Sequence, residues 1–271
     1  IVNTAFIILA FFTMRPSLLI ALAMIVIGDL LTIVLTTRRL RHVGNPFKAD
    51  LTFLRRIYRF GLVAMITTLL LTLNYRLDEL MLKWMGISGE LRGFYRTGVS
   101  LAGYGWIISD AFREVLFSRT AKNDAVDDVV FSLKINAYIT IFMLAGIALL
   151  GKPVIHLLFG AAYLPAYQVT VVLLFGILSM SYFKLIGTLL LAQKKIKMYV
   201  ATLTASVLMN VVANLLTIPT LGILGAALSS VLSYTLAGVV FLSYFMHTYH
   251  IKAKRIFLLN RGDFAFLSRK F

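Results

Sequence analysis

Residues 61–81 read GLVAMITTLLLTLNYRLDELM. The stretch opens as an uncharged, mostly apolar run and turns polar at Asn74, Tyr75, Arg76, Asp78 and Glu79. On a soluble protein such residues would sit on the surface without consequence. In a bilayer core each costs a few kcal/mol or more, so they normally face a counter-charge or a wet cavity. The stretch therefore predicts both a membrane-spanning helix and a route for something polar.

The wider composition supports a bilayer setting. Of 271 residues, 60% are hydrophobic and only 14% charged, against about 25% charged in a typical soluble domain. Mean hydropathy is +0.89. Apolar runs of about 20 residues recur, the length a helix needs to span hydrocarbon. They must be helical, because lipid offers no partner to an open backbone. The expectation is an all-α, polytopic membrane helical bundle. Seven full spans fall at residues 18–36, 61–81, 99–117, 130–149, 169–192, 199–217 and 221–244. An eighth run, residues 2–12, is too short to cross. It lacks the basic leader and cleavage site of a signal peptide. With Ile at position 1 it is expected to be the end of a longer helix whose start is missing.

Charge gives the orientation. The net charge is +16, and 19 of the 27 Lys and Arg residues lie in or beside one set of alternate connections. These include Arg38, Arg39, Arg55, Arg56, Lys134, Lys194, Lys195 and the residues after Lys252. The opposite connections hold only Arg15, Arg92, Arg96 and Lys152. This is the positive-inside pattern, so the rich side is cytoplasmic. The basic excess then reflects topology and attraction to phospholipid headgroups. Nucleic acid is not expected as a partner, since no basic face is interleaved with stacking aromatics.

Other chemistries find no support. Cysteine is absent, which removes disulfides, thiolate metal sites and a cysteine nucleophile. His42, His156, His247 and His250 lie near membrane edges, and His247 and His250 have only each other at ligand spacing. No phosphate loop, nucleophile elbow or zinc-protease motif occurs. No metal, cofactor or catalytic residue is expected, and the chain does not read as an enzyme. In the connection before residue 61, Phe53, Leu54, Ile57, Tyr58 and Leu62 recur at helical spacing with Arg55, Arg56 and Arg59 between them. That is a basic amphipathic helix at the cytoplasmic interface, serving as a hinge link or as a plain anchor.

Three groups of residues resemble a known family. The first is Leu73-Asn-Tyr-Arg-Leu-Asp78 followed by Gly86, Gly89 and Gly93-Phe-Tyr95. The second is Leu157-Leu-Phe-Gly160 with Tyr163 and Ala166. The third is Asn210, Asn214, Ile218-Pro219, Leu221-Gly222 and Gly225-Ala-Ala227. In order and spacing they resemble the C-terminal bundle of Wzx-type O-antigen flippases, members of the multidrug/oligosaccharidyl-lipid/polysaccharide (MOP) exporter superfamily. The resemblance covers roughly residues 1–246. It implies the last helices of an N-terminal bundle at residues 1–37 and a basic cytoplasmic linker at 38–60. A six-helix C-terminal bundle at 61–246 and a basic tail at 247–271 follow. It also implies a multi-pass protein of the cytoplasmic (inner) membrane that flips a lipid-linked oligosaccharide through a cationic cavity by alternating access. Other membrane proteins of polysaccharide assembly are further implied partners. Cations that bind substrate in the first bundle of such proteins lie outside this sequence.

Each candidate residue has two readings. Arg76 would contact phosphate through its planar fork of donors, or pair with Glu79 at i,i+3 as Glu79 does with Lys83 at i,i+4. Asp78 would titrate in ion coupling. Lys184 stands alone in its span, facing a cavity or snorkelling to headgroups. Asp110, Arg113 and Glu114 share a helix face, as a gate or as a structural pair. Asp29 is another intramembrane acid. Asn74 is a candidate substrate contact in the cavity, and Asn210 and Asn214 would bind sugar, or hydrogen-bond between helices. A drug or cation exporter of the same superfamily would want a cavity of acids and aromatics. A membrane-embedded polysaccharide polymerase or glycosyltransferase would want a long outer loop or an acid pair at the surface, and residues 151–168 hold no acid.

Overall fold

The computed structural model describes residues 18–40, 51–120 and 126–258. They are helical almost throughout, and no strand occurs among them. The helices are α1 (Leu18–Leu40), α2 (Leu51–Trp84), α3 (Gly89–Gly103), α4 (Ile107–Thr120), α5 (Val126–Phe159), α6 (Ala166–Ala192), α7 (Ile196–Leu221), α8 (Ile223–Thr248) and the short α9 (Ala253–Phe257). The chain divides into two compact units, one ending at Gly61 and one beginning at Leu62. The first holds α1. The second holds the helix bundle, and every site described below lies within it.

Among the described residues four helices, α5 to α8, are long and apolar enough to cross a membrane. The outer faces of the bundle are greasy. Phe142, Leu149, Phe175 and Leu216 are all strongly exposed, far more apolar surface than water tolerates on a monomer. Lipid is the solvent that fits. α6 is the central helix. It packs against α3, α4, α5 and α8, and its side chains from Met180 to Leu190 are nearly all buried.

Small residues let the helices approach α6 closely. A Cβ on Gly98 of α3 would lie 2.6 Å from the Ala166 carbonyl oxygen, and one on Gly238 of α8 would collide with the Ser179 backbone. Lipid supplies no hydrophobic drive between helices, so such contacts carry packing. The turn between α7 and α8 sits on Gly222 at φ +58°, a conformation that favours glycine.

The structure revises several expected boundaries. The span expected at 99–117 is not one α-helix. It divides into α3 and α4 at a 3-10 turn, Tyr104–Trp106, flanked and interrupted by Gly103 and Gly105. Neither half is long enough to span alone. The amphipathic segment before residue 61 is not a separate helix but the opening of α2, which runs unbroken for 34 residues. α5 runs through Pro153 to Phe159, ten residues past its expected end. Pro219 does not end α7 either; the helix reaches Leu221. The run at 2–12, residues 41–50 of the linker and the tail beyond 258 lie outside the described residues.

Close packing sets a measurable contrast. Gly238→Ala should lower stability in detergent by about 1–3 kcal/mol, the usual cost of overpacking. Gly146→Ala, where nothing lies within 4 Å of the added Cβ, should not. Equal thermal midpoints for the two variants would contradict the close α6–α8 crossing.

Candidate functional site

Two polar systems run through the bundle, and they differ in access to solvent. The first joins α2, α3, α7 and α8. Asp78 is buried, and its carboxylate accepts hydrogen bonds from Tyr95 Oη, from Ser230 Oγ at 2.6 Å and from the Glu79 backbone N–H at 2.8 Å. No cation pairs with it among the described residues. Asn74 Nδ2 donates to Ser206 Oγ (2.6 Å), which donates to the Ser233 carbonyl (2.7 Å). Asn214 donates to Asn210 Oδ1 (2.9 Å), and Asn210 reaches Ser233 Oγ at 3.5 Å. All three asparagines are fully buried.

Of the two readings of Asn210 and Asn214 this geometry fits packing within the bundle, and Asn74 is buried with them. Asn74 bonds across to α7 and Asn210 across to α8, Asn214 bonds to Asn210 within α7, and the Asn74 and Asn214 side-chain carbonyls are buried without a partner. Burial leaves no approach for a ligand.

The second system joins α4 and α6 and opens to a cavity. Lys184 Nζ donates to both carboxylate oxygens of Asp110, at 2.9 and 3.1 Å. The two sides of this pair are unlike: the Lys184 side chain is 7% exposed and that of Asp110 45%. Behind the ammonium lie aromatic rings, with Nζ 4.5 Å from the Trp106 centroid and 5.8 Å from that of Tyr75. Aromatic faces replace part of the lost hydration of a buried cation. Trp106 also packs against Tyr75 in a tilted contact and against Tyr234 edge-to-face, at 5.1 and 5.6 Å between centroids. The Tyr75 hydroxyl and the Trp106 indole N–H are buried without a partner.

The cavity is about 280 Å³ and is lined by Leu71, Arg113, Glu114, Lys184, Thr188 and Tyr199 among others. It lies in the half of the bundle that the positive-inside reading assigns to the cytoplasm. Arg113 pairs with its neighbour Glu114 at 3.1 Å. Two expectations change here. The face shared by Asp110, Arg113 and Glu114 does not form one cluster, because Asp110 turns to α6 while Arg113 and Glu114 pair with each other. The cavity is also not simply cationic. Lys184 and Arg113 each carry a carboxylate partner, so its charges balance.

The remaining candidates lie elsewhere. Arg76 is 69% exposed, does not line the cavity, and is 3.7 Å from Glu79. Arg96 of α3 also binds Glu79, an ion pair that sequence spacing alone did not reveal. Asp29 lies on an exposed face of α1, in the first unit. Lys134, counted among the cytoplasmic basic residues, is instead fully buried in the bundle. Among the described residues no group of acids and histidines could hold a metal ion.

The closed character of the first system can be tested. Asp78→Ala would leave the Tyr95 and Ser230 hydroxyls without their acceptor, a cost of about 1–3 kcal/mol. A lower unfolding midpoint in detergent is the expected result. An unchanged midpoint with lost activity would instead assign Asp78 a coupling role.

No curated protein shows significant similarity to the chain. A family described as polysaccharide biosynthesis protein matches residues 2–168, which include α1 to α5, Asp78 and Asp110. With apolar helices that fit a bilayer and a match over more than half its length, the chain belongs to the polysaccharide biosynthesis protein family.

Proposed function

We propose that this protein is a flippase of the Wzx type, within the MOP superfamily. It moves an undecaprenyl-pyrophosphate-linked oligosaccharide across the cytoplasmic (inner) membrane for polysaccharide or O-antigen export. It does so as a transporter and not as a catalyst, exposing its cavity to one side at a time. One observation carries the reading: a lysine at membrane depth, on the wall of a cavity, in a member of a polysaccharide biosynthesis family. An intramembrane cation marks the path of a charged or polar cargo. The cargo here has a diphosphate that must leave water and a sugar chain that must not meet hydrocarbon.

The alternatives fit less well. A drug or cation exporter would line its cavity with acids and aromatics; this wall has Glu114 and the rings of Phe117, Phe183 and Tyr199, but it adds two cations, Lys184 and Arg113, that such a cargo would not call for. A polymerase or glycosyltransferase would place acids at the outer surface. The turn between α5 and α6, with its 3-10 helix Ala161–Tyr163, has none.

Lys184→Ala in the intact protein tests the reading in cells lacking their own flippase. Surface glycan should fall about tenfold or more at normal protein levels, as expected for loss of a desolvated charge contact. Lys184→Arg should restore part of it. Normal surface glycan with Lys184→Ala would overturn the proposal.

A further inference from the structure

We propose that Asp110 is an exchangeable counter-ion: it holds Lys184 at rest, and the anionic headgroup of the cargo takes its place. The inference rests on the flippase reading and supplies what that reading lacks, a way to accept a diphosphate tightly and still release it.

Charge balance is the starting point. Both cations at the cavity are already paired, Lys184 with Asp110 and Arg113 with Glu114. An entering anion meets no free cation, so it binds by displacing a carboxylate. The two pairs are not equally suited to exchange. Arg113 and Glu114 are neighbours in sequence and both are solvent-accessible, so water screens their attraction. Lys184 is dry, and a dry cation exerts a stronger pull on whatever anion reaches it.

The geometry favours movement of the carboxylate over movement of the lysine. Asp110 is the half-exposed partner, on a helix that begins just after the 3-10 turn Tyr104–Trp106. Water can solvate its carboxylate as it leaves. Lys184 is backed by Trp106 and Tyr75 and sits on the central helix, so it stays. An ammonium has three donors and no fixed fork, so it accepts a phosphate oxygen as readily as a carboxylate oxygen. The buried donors of Tyr75 and Trp106, both without a partner, belong to the same cluster. At about 280 Å³ the cavity is near the lower end of small-molecule sites. It suits a phosphate or diphosphate group, not an oligosaccharide. Asp110, still tethered beside the cation, then competes with the bound anion and drives its release.

Only Trp84 and Trp106 occur in the sequence. Trp84→Phe therefore leaves Trp106, whose ring faces the Lys184 ammonium, as the single tryptophan, excited selectively over the tyrosines. The full chain carrying Trp84→Phe, in detergent micelles, is titrated with inorganic pyrophosphate and separately with undecaprenyl pyrophosphate. Undecaprenol serves as the uncharged control. Trp106 emission should change with an anion and not with undecaprenol. A response to the lipid alone would make the lipid-borne headgroup the ligand; a response to both would show that the anion suffices.

Asp110→Asn should bind about tenfold more tightly, because the internal competitor is gone. Asp110→Glu should bind like the parent. In cells Asp110→Asn should reduce surface glycan despite its tighter binding, since release is slowed. Should Asp110→Asn fail to fold, Asp110→Ser carries the same test. If the parent binds but the Asn or Ser variant, with the parent's unfolding midpoint, binds no more tightly, exchange is overturned and the flippase reading stands. If neither parent nor variant binds either anion, both fall.

Discussion

Hydrocarbon solvates neither a charge nor an unpaired hydrogen-bonding group, and the architecture of this bundle follows from that constraint. Every polar side chain within it needs a partner, another polar side chain or water. The bundle meets most of this requirement in two ways, leaving a few buried atoms, among them the Tyr75 hydroxyl and the Trp106 N–H, without a partner. Around Asp78 the partners are hydroxyls and amides of packed helices, with no opening. Around Lys184 the partners are a half-exposed carboxylate and two aromatic rings, beside a cavity.

Magnitude separates the roles of the two systems. Interhelical hydrogen bonds between neutral groups in membranes are worth about 0.6 kcal/mol on average. They join α2, α3, α7 and α8, while the glycine crossings at Gly98 and Gly238 hold α3 and α8 against α6. A buried charge is a different matter, since removing one partner of a desolvated pair costs about 3–5 kcal/mol. Asp110 is about half wet, so the cost here falls below that range. That intermediate value suits a contact that must hold and also let go.

Much of the fold was legible in the sequence because hydropathy is a local signal. Apolar length located α6 to α8 within a few residues and the start of α5, though not its end, and Lys184 stood out as a cation in an apolar run. What the sequence did not reveal was pairing between helices. The Lys184–Asp110 and Arg96–Glu79 bonds join residues far apart in the chain, and i,i+3 or i,i+4 spacing misassigned Asp110 to its own helix neighbours. The same blindness left Asn210 and Asn214 open between sugar binding and helix packing. Two glycines three residues before and one before the 3-10 turn's last tryptophan, Gly103 and Gly105, carried the only local signal that the span at 99–117 would divide.

The polar side chains around Lys184 mark a wet cavity, while the exposed apolar side chains of the bundle mark lipid. The chain has no cysteine, so single cysteines can test this assignment without background. In membranes, Leu71→Cys on the cavity wall should react with a charged thiol reagent supplied from the cytoplasmic side, and pyrophosphate should slow the reaction. Phe142→Cys, at a far more exposed position on the outer face, should not react. Rapid labelling at Phe142→Cys with none at Leu71→Cys would contradict the account.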